Sequence, residues 1–230
     1  MASGRKLDWH PEQVCIVCSG ARGSGKSSTF RALITSRNPE RRIFFDPKRD
    51  FSAFAEKTVT SVKDMLKYLA DVENDWPFSV SYIPKDLPRP LALASICREA
   101  ERLQDCTVIA DELHSATKHH EVDPFVIQFV RECRHSNCGF WGASQQPHDV
   151  SIDIRSQLNS GEAFYMLLVE KSDLDVLRAR RGKEFADRVQ RLPPLHGFRL
   201  QPTTLEPEPF RVDPRGGARL LSLDGLPLHW

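Results

Sequence analysis

Short apolar runs alternate with amphipathic stretches along most of the chain. Residues 14–19 ("VCIVCS"), 42–46 ("RIFFD"), 78–83 ("FSVSYI"), 106–112 ("CTVIADE"), 139–144 ("GFWGAS") and 163–169 ("AFYMLLV") read as strands. Between them apolar residues recur at helical spacing. A helix starting near Lys26 buries Phe30, Leu33 and Ile34. A second, capped by Ser61, places Val62, Met65, Leu66 and Leu69 on one face. Leu93, Ile96, Cys97, Ala100 and Leu103 form a third stripe. A fourth helix opens with Asp123 as cap and Pro124 in its first turn, burying Val126, Phe129, Val130 and Cys133. Strands that are apolar on both faces and separated by helices predict a mostly parallel sheet covered on both sides. From Pro202 the pattern dissolves into a proline- and glycine-rich tail, with Phe210, Leu220, Leu221 and Trp230 as candidate anchors. Residues 1–12 then form an extension, 13–200 one α/β domain, and 201–230 a tail that docks on the body or on a neighbour.

Composition changes this picture little. Of 230 residues 40% are hydrophobic, enough for a core, and the net charge of +1 requires any basic surface to be local. No run approaches the roughly 18 apolar residues of a membrane helix, so no membrane insertion is expected. Cys15 and Cys18 make a CxxC, but residues three apart on a strand point to opposite faces. Cys133 and Cys138, with His135 between them, pair better, yet no second ligand pair accompanies them. Six reduced, mostly buried thiols are the ordinary reading.

The chemistry begins at "GARGSGKSS". Gly20, Gly25, Lys26 and Ser27 satisfy GxxxxGK[ST], with a strand before and a helix after, which defines a three-layer P-loop NTPase fold. Backbone amides of Gly20, Arg22, Gly23, Ser24, Gly25, Lys26, Ser27 and Ser28 are the candidates to wrap the phosphates at a helix N-terminus. Lys26 would reach the β- and γ-phosphates of ATP, and the Ser27 hydroxyl would bind Mg2+. The strand "TVIAD" ends in Asp111, the candidate Walker B acid for magnesium. Glu112 follows it, where a carboxylate can orient and deprotonate a water, which a hydrolase needs. "WGASQQP" ends a strand with Gln145, placed to sense the γ-phosphate, and Gln146 is the second choice. No NKxD guanine-reading motif is present. Two strands intervene in sequence between the loop strand and "TVIAD", the layout of additional-strand, RecA-like ATPases.

These segments, with "FFDPKRDF", "RECRHSNCGFWGASQQPHDVSIDIRSQ" and "SDLDVLRARRGKEFADRVQRLPPLHGF", resemble the FtsK–HerA superfamily of DNA-pumping ATPases. Within it they are most similar to the genome-packaging ATPases of tailless, membrane-containing icosahedral viruses. The likeness runs over roughly residues 12 to 200. It implies a ring, commonly a hexamer, that threads duplex DNA, with ATP between subunits and an arginine finger supplied by the neighbour. Such a finger is worth about 10³–10⁵ in rate. Arg131 and Arg134 fall on the matching segment, with Arg155 third; the plainer alternative is that they sit favourably at a helix C-terminus. The resemblance also implies capsid vertex proteins as partners, and a location in the host cytoplasm and the virion. Candidate DNA contacts are Lys118, His119 and His120 after Walker B, and Arg178, Arg180, Arg181 and Lys183, although Glu184 and Asp187 offset the latter. An ATPase for phage extrusion or conjugative transfer, and a nucleotide-dependent assembly factor that moves nothing, are the alternatives.

Overall fold

A computed structural model describes residues 15–118, 122–158, 161–201, 206–213 and 219–222. Its strands in chain order are β1 (Ile16–Ser19), β2 (Arg41–Phe45), β3 (Lys57–Val59), β4 (Phe78–Tyr82), β5 (Thr107–Ala110), β6 (Gly139–Ser144), β7 (Glu162–Met166), β8 (His196–Leu200), β9 (Glu208–Asp213) and β10 (Arg219–Ser222). The helices are α1 (Lys26–Arg37), α2 (Val62–Asp71), α3 (Arg89–Leu103), α4 (Pro124–Glu132), α5 (Ile152–Leu158), α6 (Lys171–Arg181) and α7 (Lys183–Gln190). All ten strands join one sheet in the order β10-β9-β8-β7-β1-β6-β5-β2-β4-β3. Every pairing from β7 to β3 is parallel, and β8, β9 and β10 add an antiparallel edge. The strand lying between β1 and β5 is β6, which follows both in sequence.

Each predicted amphipathic face finds a cover. On one side α1 lays Phe30, Leu33 and Ile34 against Ile16, Phe44, Trp141 and Phe164. Phe51, from the loop after β2, packs edge-on to Phe30 at 5.8 Å and stacks on Phe44 at 6.3 Å between ring centroids. On the other side α2 to α5 cover the β2–β6 half, and α6 and α7 cover β7 and β8. Ser61 caps α2 by accepting from the Asp64 amide at 3.1 Å, and Asp123 caps α4 through the Phe125 amide at 2.8 Å. In α2 the buried positions are Met65 and Leu69. Leu66, expected on that face, is 40% exposed because it lies at the margin of the stripe.

The described part of the tail completes the sheet. Phe210 on β9 is fully buried, with its ring edge-on to Phe164 at 5.7 Å. The backbone of β8 comes so close that a Cβ on Gly197 would lie 2.5 Å from the Phe210 ring. Beside this contact Glu162 takes ion pairs from Arg37 and Arg199, and Arg199 also reaches Glu208 at 3.3 Å. Four elements are thereby joined, and at the buried Glu162 carboxylate and guanidinium compensate one another. Leu220 lies in β10, whereas Trp230 lies outside the described residues.

Cys18 is buried under α1, while Cys15 faces the opposite side, its sulfur 3.9 Å from that of Cys133. Among the described residues no group of three or more His, Cys, Asp or Glu side chains is placed to hold a metal ion. None of their helices is long and apolar enough to cross a membrane.

Candidate active site

The C-terminal ends of β1, β6, β5 and β2 stand side by side, the edge where open parallel sheets bind ligands. The loop after β1 is tied down at both shoulders. The Gly20 amide donates to Ser144 at 3.2 Å and the Ala21 amide to Leu167 at 2.8 Å. A Cβ on Gly20 would lie 2.5 Å from Ser24 Oγ and 2.6 Å from Met166 Cβ, so only glycine lets the loop close this tightly. Gly25 adopts φ 104°, a left-handed conformation open to glycine, and turns the chain into α1. The first amides of α1 have no intrahelical partner and, with the positive end of the helix dipole, form an anion cradle. Arg22 and Gly23 are exposed at its rim, and Ser27 and Ser28 are half-buried in the first turn.

Lys26 is buried, with Nζ 3.8 Å from Asp111 Oδ1. Asp111, at the end of β5, is 1% exposed, and neither carboxylate oxygen meets a hydrogen-bond donor in good geometry. Burial raises its carboxyl to about 6, a rise that the attraction of Lys26 only partly offsets. A buried carboxylate with no well-aligned hydrogen-bond donor, beside a phosphate-type loop, fits a hard cation that prefers oxygen ligands.

Glu112 is held from three sides. Lys48 Nζ lies 2.7 Å from Oε1, and Gln145 Nε2 donates to the same oxygen at 2.5 Å. His114 Nε2 lies 3.3 Å from Oε2. Burial pushes the Glu112 carboxyl up, but Lys48, His114 and Lys26 outweigh it and hold the group below its ordinary value. His114 is lowered in turn, chiefly by burial. On its other side His114 Nδ1 shares a hydrogen bond with the Ser144 hydroxyl, 3.2 Å away. The Ser144 oxygen in turn accepts from the Gln146 amide at 3.2 Å. The Glu112 backbone is itself left-handed, at φ 49° and ψ 43°. For a non-glycine residue this costs about 1–2 kcal/mol, a strain found mostly where a side chain must be aimed.

The structure therefore brings together the loop, Lys26, Asp111, Glu112 and Gln145, whereas the Gln146 side chain is exposed. Arg131 and Arg134 stand apart. They precede β6, whose far end meets the loop. Arg131 is exposed and paired with Asp153 at 3.0 Å, and Arg134 is exposed on the Cys133–Ser136 turn. Neither reaches the phosphate loop of its own chain. Arg155 is half-buried on α5, and its carbonyl accepts from Arg180. Lys118 is exposed on a short bridge to Val150, and His119 and His120 lie outside the described residues. Arg178 is neutralised by Asp175 and Asp187. Sequence reasoning missed Lys48 and His114. "FFDPKRDF" holds Lys48 in plain view, but only the adjacency of β2 and β5 reveals its target.

The sequence matches no protein-family model, and no curated protein matches it either. Solved structures do resemble it. The genome packaging NTPase B204 from Sulfolobus turreted icosahedral virus 2, in complex with AMP, superposes with a TM-score of 0.66 at 17% identity. The match covers 87% of this chain and 97% of that one. B204 from Sulfolobus turreted icosahedral virus, a DNA-packaging ATPase, gives 0.65 at 15% identity over 86% and 97%. VirB4 of Thermoanaerobacter pseudethanolicus gives 0.59 at 10% identity over 82% and 87%. Phosphate loop, strand order and these likenesses agree: the chain has a P-loop ATPase fold, like that of these structures.

Proposed function

We propose that the chain is an ATP-driven translocase that packages double-stranded viral DNA into a preformed capsid, working as a ring, a hexamer, docked at a capsid vertex. The observation that carries this reading is the buried Glu112, held at the end of β5 beside the buried carboxylate of Asp111. A passive nucleotide binder has no use for such a carboxylate. The loop amides and Lys26 bind the phosphates. Asp111 and the Ser27 hydroxyl would hold Mg2+, which when bound supplies charge neutralisation on the β- and γ-phosphates. Glu112 accepts a proton from the attacking water, and Gln145 links it to β6, the strand that supports the loop through Ser144. Arg131 and Arg134, out of reach of their own loop, act in a neighbour's site, where Arg131 exchanges Asp153 for the phosphoryl group. Lys118 faces the pore and holds DNA phosphates without reading bases.

The likeness to packaging NTPases supports this reading of substrate and task. The test is movement: displacement of a triplex-forming strand from linear duplex DNA in the presence of MgATP. Displacement by wild type, absent with Glu112→Gln, is expected. Hydrolysis without displacement would assign the chain to an ATPase that does not move along DNA.

A further inference from the structure

Lys48 belongs to none of the phosphate-loop or Walker residues, yet it makes the shortest ion pair to Glu112. Its position is built rather than incidental. Asp46, fully buried at the end of β2, accepts from the amides of Asp50 at 2.8 Å and Phe51 at 3.1 Å. It also accepts from the hydroxyls of Ser52 at 3.0 Å and Ser81 at 3.1 Å. The loop turns at Arg49, whose φ is 64°, and is anchored by Phe51 against Phe30 and Phe44. Phe30 lies on α1, the helix that begins at the phosphate loop, so loop and phosphate site share one rigid support. None of these contacts involves the Lys48 side chain. Its ammonium, half exposed, crosses from the end of β2 to the end of β5 and meets a carboxylate that is almost entirely buried.

A surface ion pair contributes little. Here geometry matters more than attraction. An ionised carboxylate offers about four acceptor positions. Lys48 and Gln145 both fall on Oε1, while His114 Nε2 stands 3.3 Å from Oε2. Oε2 accepts no hydrogen bond from the described residues. We propose that Lys48 is a positioning residue for the hydrolytic step: with Gln145 it fixes the Glu112 carboxylate through Oε1, so that Oε2 is held ready to accept a proton from the attacking water. This rests on the reading of Glu112 as the base of an ATPase. Without Lys48 the carboxylate regains rotational freedom, and its proton acceptor points at the water only part of the time. Small misplacements of reacting groups can cost about 100-fold in rate.

The experiment measures kcat for ATP with duplex DNA present, and the dissociation constant of MgATP, for wild type, Lys48→Met, Lys48→Arg and Lys48→Met combined with Glu112→Gln. Lys48→Met should lower kcat by about 10- to 100-fold with nucleotide affinity unchanged. Lys48→Arg should recover most of the rate, because either cation can hold a single oxygen. Lys48→Met should add no further loss to Glu112→Gln, since both act through one carboxylate. Thermal unfolding of Lys48→Met should match wild type, because Asp46 and Phe51 hold the loop. An unchanged kcat would reduce Lys48 to a surface ion pair and overturn the proposal. Weakened MgATP binding, or further loss in the double variant, would make it a phosphate ligand and overturn it too. A wild type that turns over no ATP with DNA would instead refute the functional reading, and the role of Lys48 with it.

Discussion

Replacing Asp111 by asparagine should make the nucleotide-free protein more stable while abolishing its chemistry. Asp111 is 1% exposed, and neither side-chain oxygen meets a hydrogen-bond donor in good geometry. Its carboxyl sits at about 6 in the folded chain against an ordinary 3.8. The net rise already includes the attraction of Lys26, so neutralising the group gains more from removing a buried charge than it loses from that contact. The gap is about 2.2 pH units, and at about 1.4 kcal/mol per unit ionisation at pH 7.5 costs the fold about 3 kcal/mol. Because the folded value is the higher one, this contribution favours folding below pH 3.8 and is lost as pH rises through 6. Urea unfolding in EDTA, without nucleotide, should therefore find Asp111→Asn close to wild type near pH 4. The variant should be more stable by up to about 3 kcal/mol at pH 7.5, or about 6–12 °C in Tm for a chain of this size. Magnesium-dependent hydrolysis by the variant should fall to background. A variant less stable than wild type at pH 7.5, or a difference that does not change with pH, would refute the reasoning.

Two further changes probe the frame around the site. Phe210→Ala removes a fully buried ring that packs on Phe164 and should cost about 3–5 kcal/mol in urea unfolding; a loss below about 1 kcal/mol would mean that β9 does not pack as described. Gly25→Ala forces a side chain into φ 104° and brings its Cβ within 2.9 Å of Leu195 Cδ2. It should abolish binding of a fluorescent ATP analogue, and retained binding would contradict the loop geometry.

The central strands are legible in sequence because β1, β2, β5 and β6 are apolar on both faces, and only burial between two helical layers accounts for that. Gly20, Gly25 and Lys26 are equally legible, since the loop needs those residue types at that spacing. The outer sheet is harder. β3 is three residues long, with only Val59 buried, too short to show a period. β9 and β10 lie in a stretch rich in proline and glycine, and their place depends on Phe210 meeting Phe164, far away in sequence. Within the site, the conjunction of Glu112 and Gln145 follows from strand ends. The contacts of Lys48 and His114 do not, because they are set by strand order and by the left-handed turn at Glu112. The two arginines were legible as a pair, but only the fold places them before β6, whose far end meets their own phosphate loop.

Steady-state ATP hydrolysis with and without linear duplex DNA, for wild type and Glu112→Gln, tests the central claim most directly. Oligomeric state should be read in the same samples, because a finger supplied in trans requires a neighbour. The account predicts hydrolysis by wild type that DNA stimulates, and loss of that rate in Glu112→Gln with MgATP binding retained. Assembled protein that binds MgATP but turns over no faster than Glu112→Gln, with DNA or without, would contradict it.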